Sequence, residues 1–201
     1  MMSILWLHGW SFTPEVWKPL QDLLPEFTHH PISYQGCKTA QEMQQKVSDT
    51  IRDLAPDLVV AWSLGATLAL GCPWIPRLVV VAGTLRFTDV WPERVLNQMI
   101  RQLHQDPERV LNAFRQHIGA PAPTRQELDA WPTDTLIAGL EVLRDTEQTL
   151  EPLPELLWIH GEKDPLVKPP AHLSRTDIPE AGHLPMLTHP EMLASLIMRF
   201  R

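Results

Sequence analysis

The 201-residue chain reads as an α/β fold, a mostly parallel sheet with a helical segment inserted between two strands. Three observations predict it. Short apolar runs at residues 4–7, 57–60 and 77–83 alternate with amphipathic stretches, as when crossover helices cover both faces of a sheet. From about residue 85 to 150 the strand signal stops, and helical stretches broken at Pro92, Pro107, Pro121, Pro123 and Pro132 take its place. The strand pattern then resumes at residues 156–161. The spacing therefore predicts a core from residues 1–84 and 151–201 and a helical lid over 85–150.

Residues 4–7 form the first strand, ending in His8-Gly9-Trp10. Val16, Trp17, Leu20 and Leu24 recur at helical spacing over 14–24, and residues 28–34 make a weaker second strand. Ala40, Met43, Val47, Ile51 and Leu54 fall at intervals of three and four, an amphipathic helix. The apolar strand at 57–60 leads into Ala61-Trp62-Ser63-Leu64-Gly65-Ala66, and a short helix follows until Pro73. Residues 174–178 read as the last strand. Thr188-His189-Pro190-Glu191 reads as a capping box, opening a helix striped by Leu193, Leu196, Ile197 and Phe200.

Composition narrows the function. Hydrophobic residues make up 44% and charged residues 20%, as in globular proteins, and the net charge of −7 argues against a general nucleic-acid binder. No run approaches the ~20 apolar residues of a membrane span. The N-terminal run has no basic region before it and is too short for a signal peptide, so a cytoplasmic protein is expected. Cys37 and Cys72 give neither a disulfide framework nor a metal spacing. His29-His30 and the scattered remaining histidines show no zinc pattern, and no metal or cofactor is expected.

Ser63 carries the chemistry. A serine on a tight strand-to-helix turn between small residues is a nucleophile elbow, with its hydroxyl raised above the sheet edge. Ala61 and Gly65 are the small residues, so the match is one position short of G-x-S-x-G. A serine hydroxyl needs a base, and the base an orienting carboxylate. Reactive groups of a parallel sheet collect after the carboxyl ends of strands. Asp164 follows one strand by five residues and His183 follows the last by five, in the order Ser63, Asp164, His183. Taken singly, Asp164 before Pro165 could be a turn residue, His183 a loop residue, and Glu162 a rival acid. A tetrahedral intermediate also needs two N–H donors. The Leu64 amide supplies one and the Trp10 amide, after a strand neighbouring the elbow strand, the second. The Trp10 ring would wall the acyl pocket or serve simply as core.

The segments His8-Gly9-Trp10, Trp62-Ser63-Leu64-Gly65, His160-Gly161-x-x-Asp164 and Gly182-His183 resemble the lidded α/β-hydrolase superfamily over essentially the full chain. With Gly139-Leu140-Glu141-Val142-Leu143, they look most like the pimeloyl-[acyl-carrier-protein] methyl ester esterases of biotin synthesis. The resemblance implies Ser63 as nucleophile, His183 as base and acid, Asp164 as its orienter, and Trp10 and Leu64 as the oxyanion hole. It implies acyl carrier protein as partner, held by lid arginines. Arg109 and Arg125 fall nearest the matching places and Arg115 is a third candidate, while Ala113 and Asp129 stand where two family arginines would be. Phe114, with Val110, Leu136 and Leu140, is expected to wall the pocket. Relative to the family, the leading hairpin is expected to be missing, and the chain to act as a monomer. The rival readings are a general short-chain carboxylesterase or thioesterase, and a non-catalytic protein that keeps the fold.

Overall fold

The computed structural model describes residues 2–150 and 155–200. The chain runs β1 Ser3–Leu7, α1 Lys18–Leu23, β2 Thr28–Ile32, α2 Ala40–Leu54, β3 Leu58–Trp62, α3 Leu64–Leu70 and β4 Arg77–Val81. Four helices follow, α4 Glu93–Leu103, α5 Pro107–His117, α6 Arg125–Ala130 and α7 Thr133–Asp145. It returns through β5 Glu155–Gly161, β6 Thr176–Ile178, α8 Pro185–Thr188 and α9 Pro190–Phe200. The sheet order is β2-β1-β3-β4-β5-β6, and every pairing is parallel. All six carboxyl ends therefore open on one side. No helix among the described residues is long and apolar enough to cross a membrane.

The central strands are buried along their whole length: no residue of β3 is exposed, and only the first of β4 is even half-buried. This is why they read as unbroken apolar runs rather than alternating ones. Helix α2 buries Met43, Val47 and Ile51, and its N-terminus is closed by Thr39, whose hydroxyl accepts the Glu42 amide. Helix α1 packs on α9, and α2 on α3.

Several boundaries differ from expectation. Residues 14–24 divide into a 3₁₀ turn, Pro14–Trp17, and α1. Pro19 has no N–H to give the carbonyl four residues back, so a single α-helix cannot run through it. β2 stops at Ile32, and Tyr34 turns its hydroxyl to the His8 carbonyl at 3.1 Å. Thr188 ends α8 and donates its hydroxyl to the Leu184 carbonyl, instead of opening the next helix. The reciprocal capping box occurs at Thr124 and Glu127, at the start of α6.

Helices α4 to α7 all lie between β4 and β5 in the chain. Proline begins rather than merely breaks them: Pro92 and Pro132 are the residues before α4 and α7, and Pro107 is the first of α5. The boundary expected at 150/151 meets residues 151–154, which lie outside the described residues.

Candidate active site

The backbone of β3 ends at Trp62, and Ser63 then takes φ 53° and ψ −116°, a conformation costing a non-glycine residue about 1–3 kcal/mol. Three hydrogen bonds hold it. The Ser63 amide donates to the Val81 carbonyl at 3.1 Å, and its carbonyl accepts from Ala66 at 2.9 Å and Thr67 at 3.1 Å. Gly65 is required by close approach, since a Cβ there would lie 2.4 Å from the Leu7 carbonyl oxygen. Ala61 is different. It is fully buried within β3, opposite Leu7 and Val80, and lies outside the positive-φ residues, so its methyl group fits the strand.

The loops after β5 and β6 bring Asp164 and His183 to this elbow. His183 Nε2 lies 3.1 Å from Ser63 Oγ, and its Nδ1 lies 2.8 Å from Asp164 Oδ2. The other carboxylate oxygen of Asp164 accepts the amides of Leu166 at 2.8 Å and Val167 at 3.2 Å. Burial pushes the Asp164 carboxyl up, but the His183 hydrogen bond and charge and these amides outweigh it, leaving the group below its ordinary value. Asp164 is thus ionised and fixed on the imidazole edge away from Ser63. The rival Glu162 points elsewhere, accepting the Glu180 amide at 3.4 Å. His183 is held from behind as well: the indole N–H of Trp62 donates to its carbonyl at 2.9 Å.

The Leu64 amide opens α3, and the Trp10 amide lies in the loop after β1. Among the described residues neither donates to a backbone carbonyl. The Trp10 ring leans into the inserted helices. Its Nε1 donates to the Leu136 carbonyl of α7 at 2.8 Å, and Phe114 meets it edge-on at 4.8 Å. Gly139 allows this contact, because a Cβ there would sit 2.7 Å from Trp10 Cδ1.

Above Ser63 lies a narrow, nearly closed cleft, with a free volume of only about 10 Å³, between Trp10, Phe87, Trp91, Leu96, Met99, Phe114, Leu140, Leu143 and Leu166. Among the described residues no charged side chain lines it. Phe114 and Leu140 were expected there, whereas Leu136 meets Trp10 through its carbonyl and Val110 is buried elsewhere. Sequence reasoning missed Phe87, Trp91, Leu96, Met99, Leu143 and Leu166. The three-residue spacing of Leu96 and Met99 marks the inner face of α4 and could have found that pair.

The three arginines proposed for substrate part company. Arg109 and Arg125 are exposed and line no part of the cavity, and Arg125 pairs with Asp129 at 3.2 Å. Arg115 is a correction to the sequence reading: it is 2% exposed and turned inward. Its guanidinium donates to Glu127 at 2.7 Å and to the Ser11 carbonyl, and lies 4.2 Å from the centre of the Phe12 ring. Arg115 stands apart from the cleft over Ser63 and lines a separate one with Phe12 and Glu127.

An elbow serine, a carboxylate-backed histidine after later strands and a parallel sheet under inserted helices together define a hydrolase of the α/β class. The sequence profile of the Alpha/beta hydrolase family matches residues 4–196, and the chain belongs to that family. It is 27% identical to a pimeloyl-[acyl-carrier protein] methyl ester esterase of Pectobacterium atrosepticum, over 98% of this chain and 93% of that protein. A Stenotrophomonas maltophilia protein of the same name is 28% identical, over 98% and 92%. Among solved structures, an Exiguobacterium antarcticum esterase superposes with a TM-score of 0.78 at 16% identity, over 100% of this chain and 91% of that one. The last likeness concerns the fold alone.

Proposed function

We propose that the chain is a serine carboxylesterase that hydrolyses the methyl ester of a pimeloyl group carried on acyl carrier protein, in biotin synthesis. The observation that carries the esterase chemistry is the unbroken line Asp164–His183–Ser63, at 2.8 and 3.1 Å, beneath an apolar cavity. Ser63 Oγ attacks the ester carbonyl as His183 Nε2 takes its proton, and Asp164 steadies the imidazolium. The carbonyl oxygen becomes an oxyanion facing the Leu64 and Trp10 amides. The C–O bond to the methoxy group breaks, and methanol leaves with the proton from His183. Water, deprotonated by the same imidazole, then attacks the acyl-enzyme and frees the carboxylate and Ser63.

The cavity supports an uncharged substrate end. With no cation to receive it, a free carboxylate would lose its hydration there without a partner, whereas a methyl ester would not. The names of the two relatives supply the carrier protein. Arg94, Arg101 and Arg109, exposed on α4 and α5 and outside the ion pairs among the described residues, are the cations that α4–α7, acting as a lid, can offer an acidic carrier. A general short-chain esterase is the second reading. It is favoured by the engagement of Arg115 and Arg125 with acidic neighbours.

Methyl-pimeloyl carrier protein and free dimethyl pimelate, assayed side by side, separate the two. The carrier reading expects kcat/KM on the carrier substrate to be higher by about tenfold or more, with the advantage shrinking as salt rises. Equal values at all salt concentrations would leave the general esterase.

A further inference from the structure

Ser11, one residue beyond Trp10, has φ 67°, a backbone region that favours glycine. Such a residue persists only where its surroundings fix it. Its own side chain does not do so, for the Ser11 hydroxyl is buried without a partner. The turn is closed by one long hydrogen bond, from the Phe12 amide to the Gly9 carbonyl at 3.4 Å, and Arg115 of α5, 104 positions away, meets it from outside. Its guanidinium donates to the Ser11 carbonyl and stacks over the next ring, Phe12. Glu127 balances the buried charge and is itself tied to the start of α6 by the capping box with Thr124.

We propose that Arg115 is a positioning residue for the oxyanion hole: by holding the strained Ser11 peptide it fixes the neighbouring Trp10 amide toward Ser63. This rests on the hydrolase reading above. Arg115 touches no reacting atom and acts through Ser11. The consequence is a link between two parts of the site. Helix α5, which contributes Phe114 to the cavity wall, also holds the loop bearing the Trp10 donor, so displacing that helix loosens the hole.

The test compares wild type, Arg115→Met, and Arg115→Met/Glu127→Gln, in which no carboxylate is left without its partner. Active serines are counted by exhaustive fluorophosphonate labelling, and kcat and KM for 4-nitrophenyl butyrate are expressed per labelled serine. The inhibition constant of a trifluoromethyl ketone is measured alongside, because its hemiketal oxyanion occupies the hole. Both variants are expected to lose about tenfold or more in kcat with KM changed by less than about threefold, and the ketone to weaken in step with kcat. A purely structural arginine would lower the number of active serines and the melting temperature, but not kcat per serine or ketone affinity. Values within about threefold of wild type overturn the proposal, as does loss of folding in both variants. A wild type that neither hydrolyses the ester nor takes the label would remove the hydrolase reading itself, a result distinct from an active wild type matched by its variants.

Discussion

Trp62 and His183 are joined by a hydrogen bond from the indole N–H to the backbone carbonyl at 2.9 Å, with the rings 5.5 Å apart. Trp62 immediately precedes Ser63, so the residue carrying the elbow also anchors the loop carrying the base. Phe12 lies 4.9 Å from the same indole, which places one side chain between the nucleophile, the histidine and the oxyanion loop. Trp62→Phe keeps most of the ring and removes the donor. Steady-state kinetics on a short ester should show kcat lower by about fivefold with KM little changed, as a net hydrogen bond of about 1 kcal/mol implies.

Asp164→Asn removes the charge behind His183 while the Leu166 and Val167 amides can still meet a side-chain oxygen. The amide favours the wrong imidazole tautomer. The expected loss in kcat is about 10³- to 10⁴-fold with an unaltered fold, read by turnover and circular dichroism together.

Gly139→Ala places a methyl group against the Trp10 ring, at 2.7 Å from Cδ1 and 3.1 Å from Leu64 Cδ2. The ring is held by Leu136 and Phe114 and cannot yield freely. Denaturant unfolding should register a loss of about 1–3 kcal/mol. Turnover should fall as well, because both residues beside the new methyl carry a proposed oxyanion donor.

Ala61→Gly tests the imperfect elbow pattern. Ala61 sits in regular strand with its methyl buried, so glycine adds chain entropy to the unfolded state and also removes a buried methyl. The variant should lose about 1–2 kcal/mol of stability, and its kcat should stay within about twofold of wild type. A large gain in activity would show that the methyl group distorts the elbow.

His8 gives the pH dependence. Burial lowers its pKa from 6.5 to about 4, against a raising contribution from its hydrogen bond with the Gly9 carbonyl. The folded state therefore holds His8 neutral while the unfolded chain takes up a proton below pH 6.5. Stability is present above that pH and is lost on acidification, by on the order of 3 kcal/mol as pH falls to about 4. Melting curves between pH 7 and 4.5 should show a shallower decline for His8→Asn than for wild type, even though the variant starts lower.

The sheet strands and the elbow were legible because their signals are local. An unbroken apolar run marks a strand buried on both faces, and Ser63 between Ala61 and Gly65 marks a tight turn. Asp164 and His183 were legible only through their positions after strands and their order in the chain. What was not legible depends on partners far apart in sequence. Arg115 looks like any surface arginine until Ser11 and Glu127 are placed beside it. Trp62 stood out only through the family motif, and its anchoring role could not be read because its partner carbonyl is 121 positions away. The 3₁₀ turn at Pro14–Trp17 was missed although Pro19 announces it, since the apolar spacing alone fits one longer helix.

The central claim is that Ser63 is the nucleophile of an acyl-enzyme, and covalent labelling tests it most directly. A fluorophosphonate should add one group per chain, on the peptide containing Ser63, as read by intact mass and peptide mapping. Ser63→Ala should take none, and His183→Ala should label far more slowly. No adduct on the folded wild type, or equal labelling of Ser63→Ala, would contradict the account.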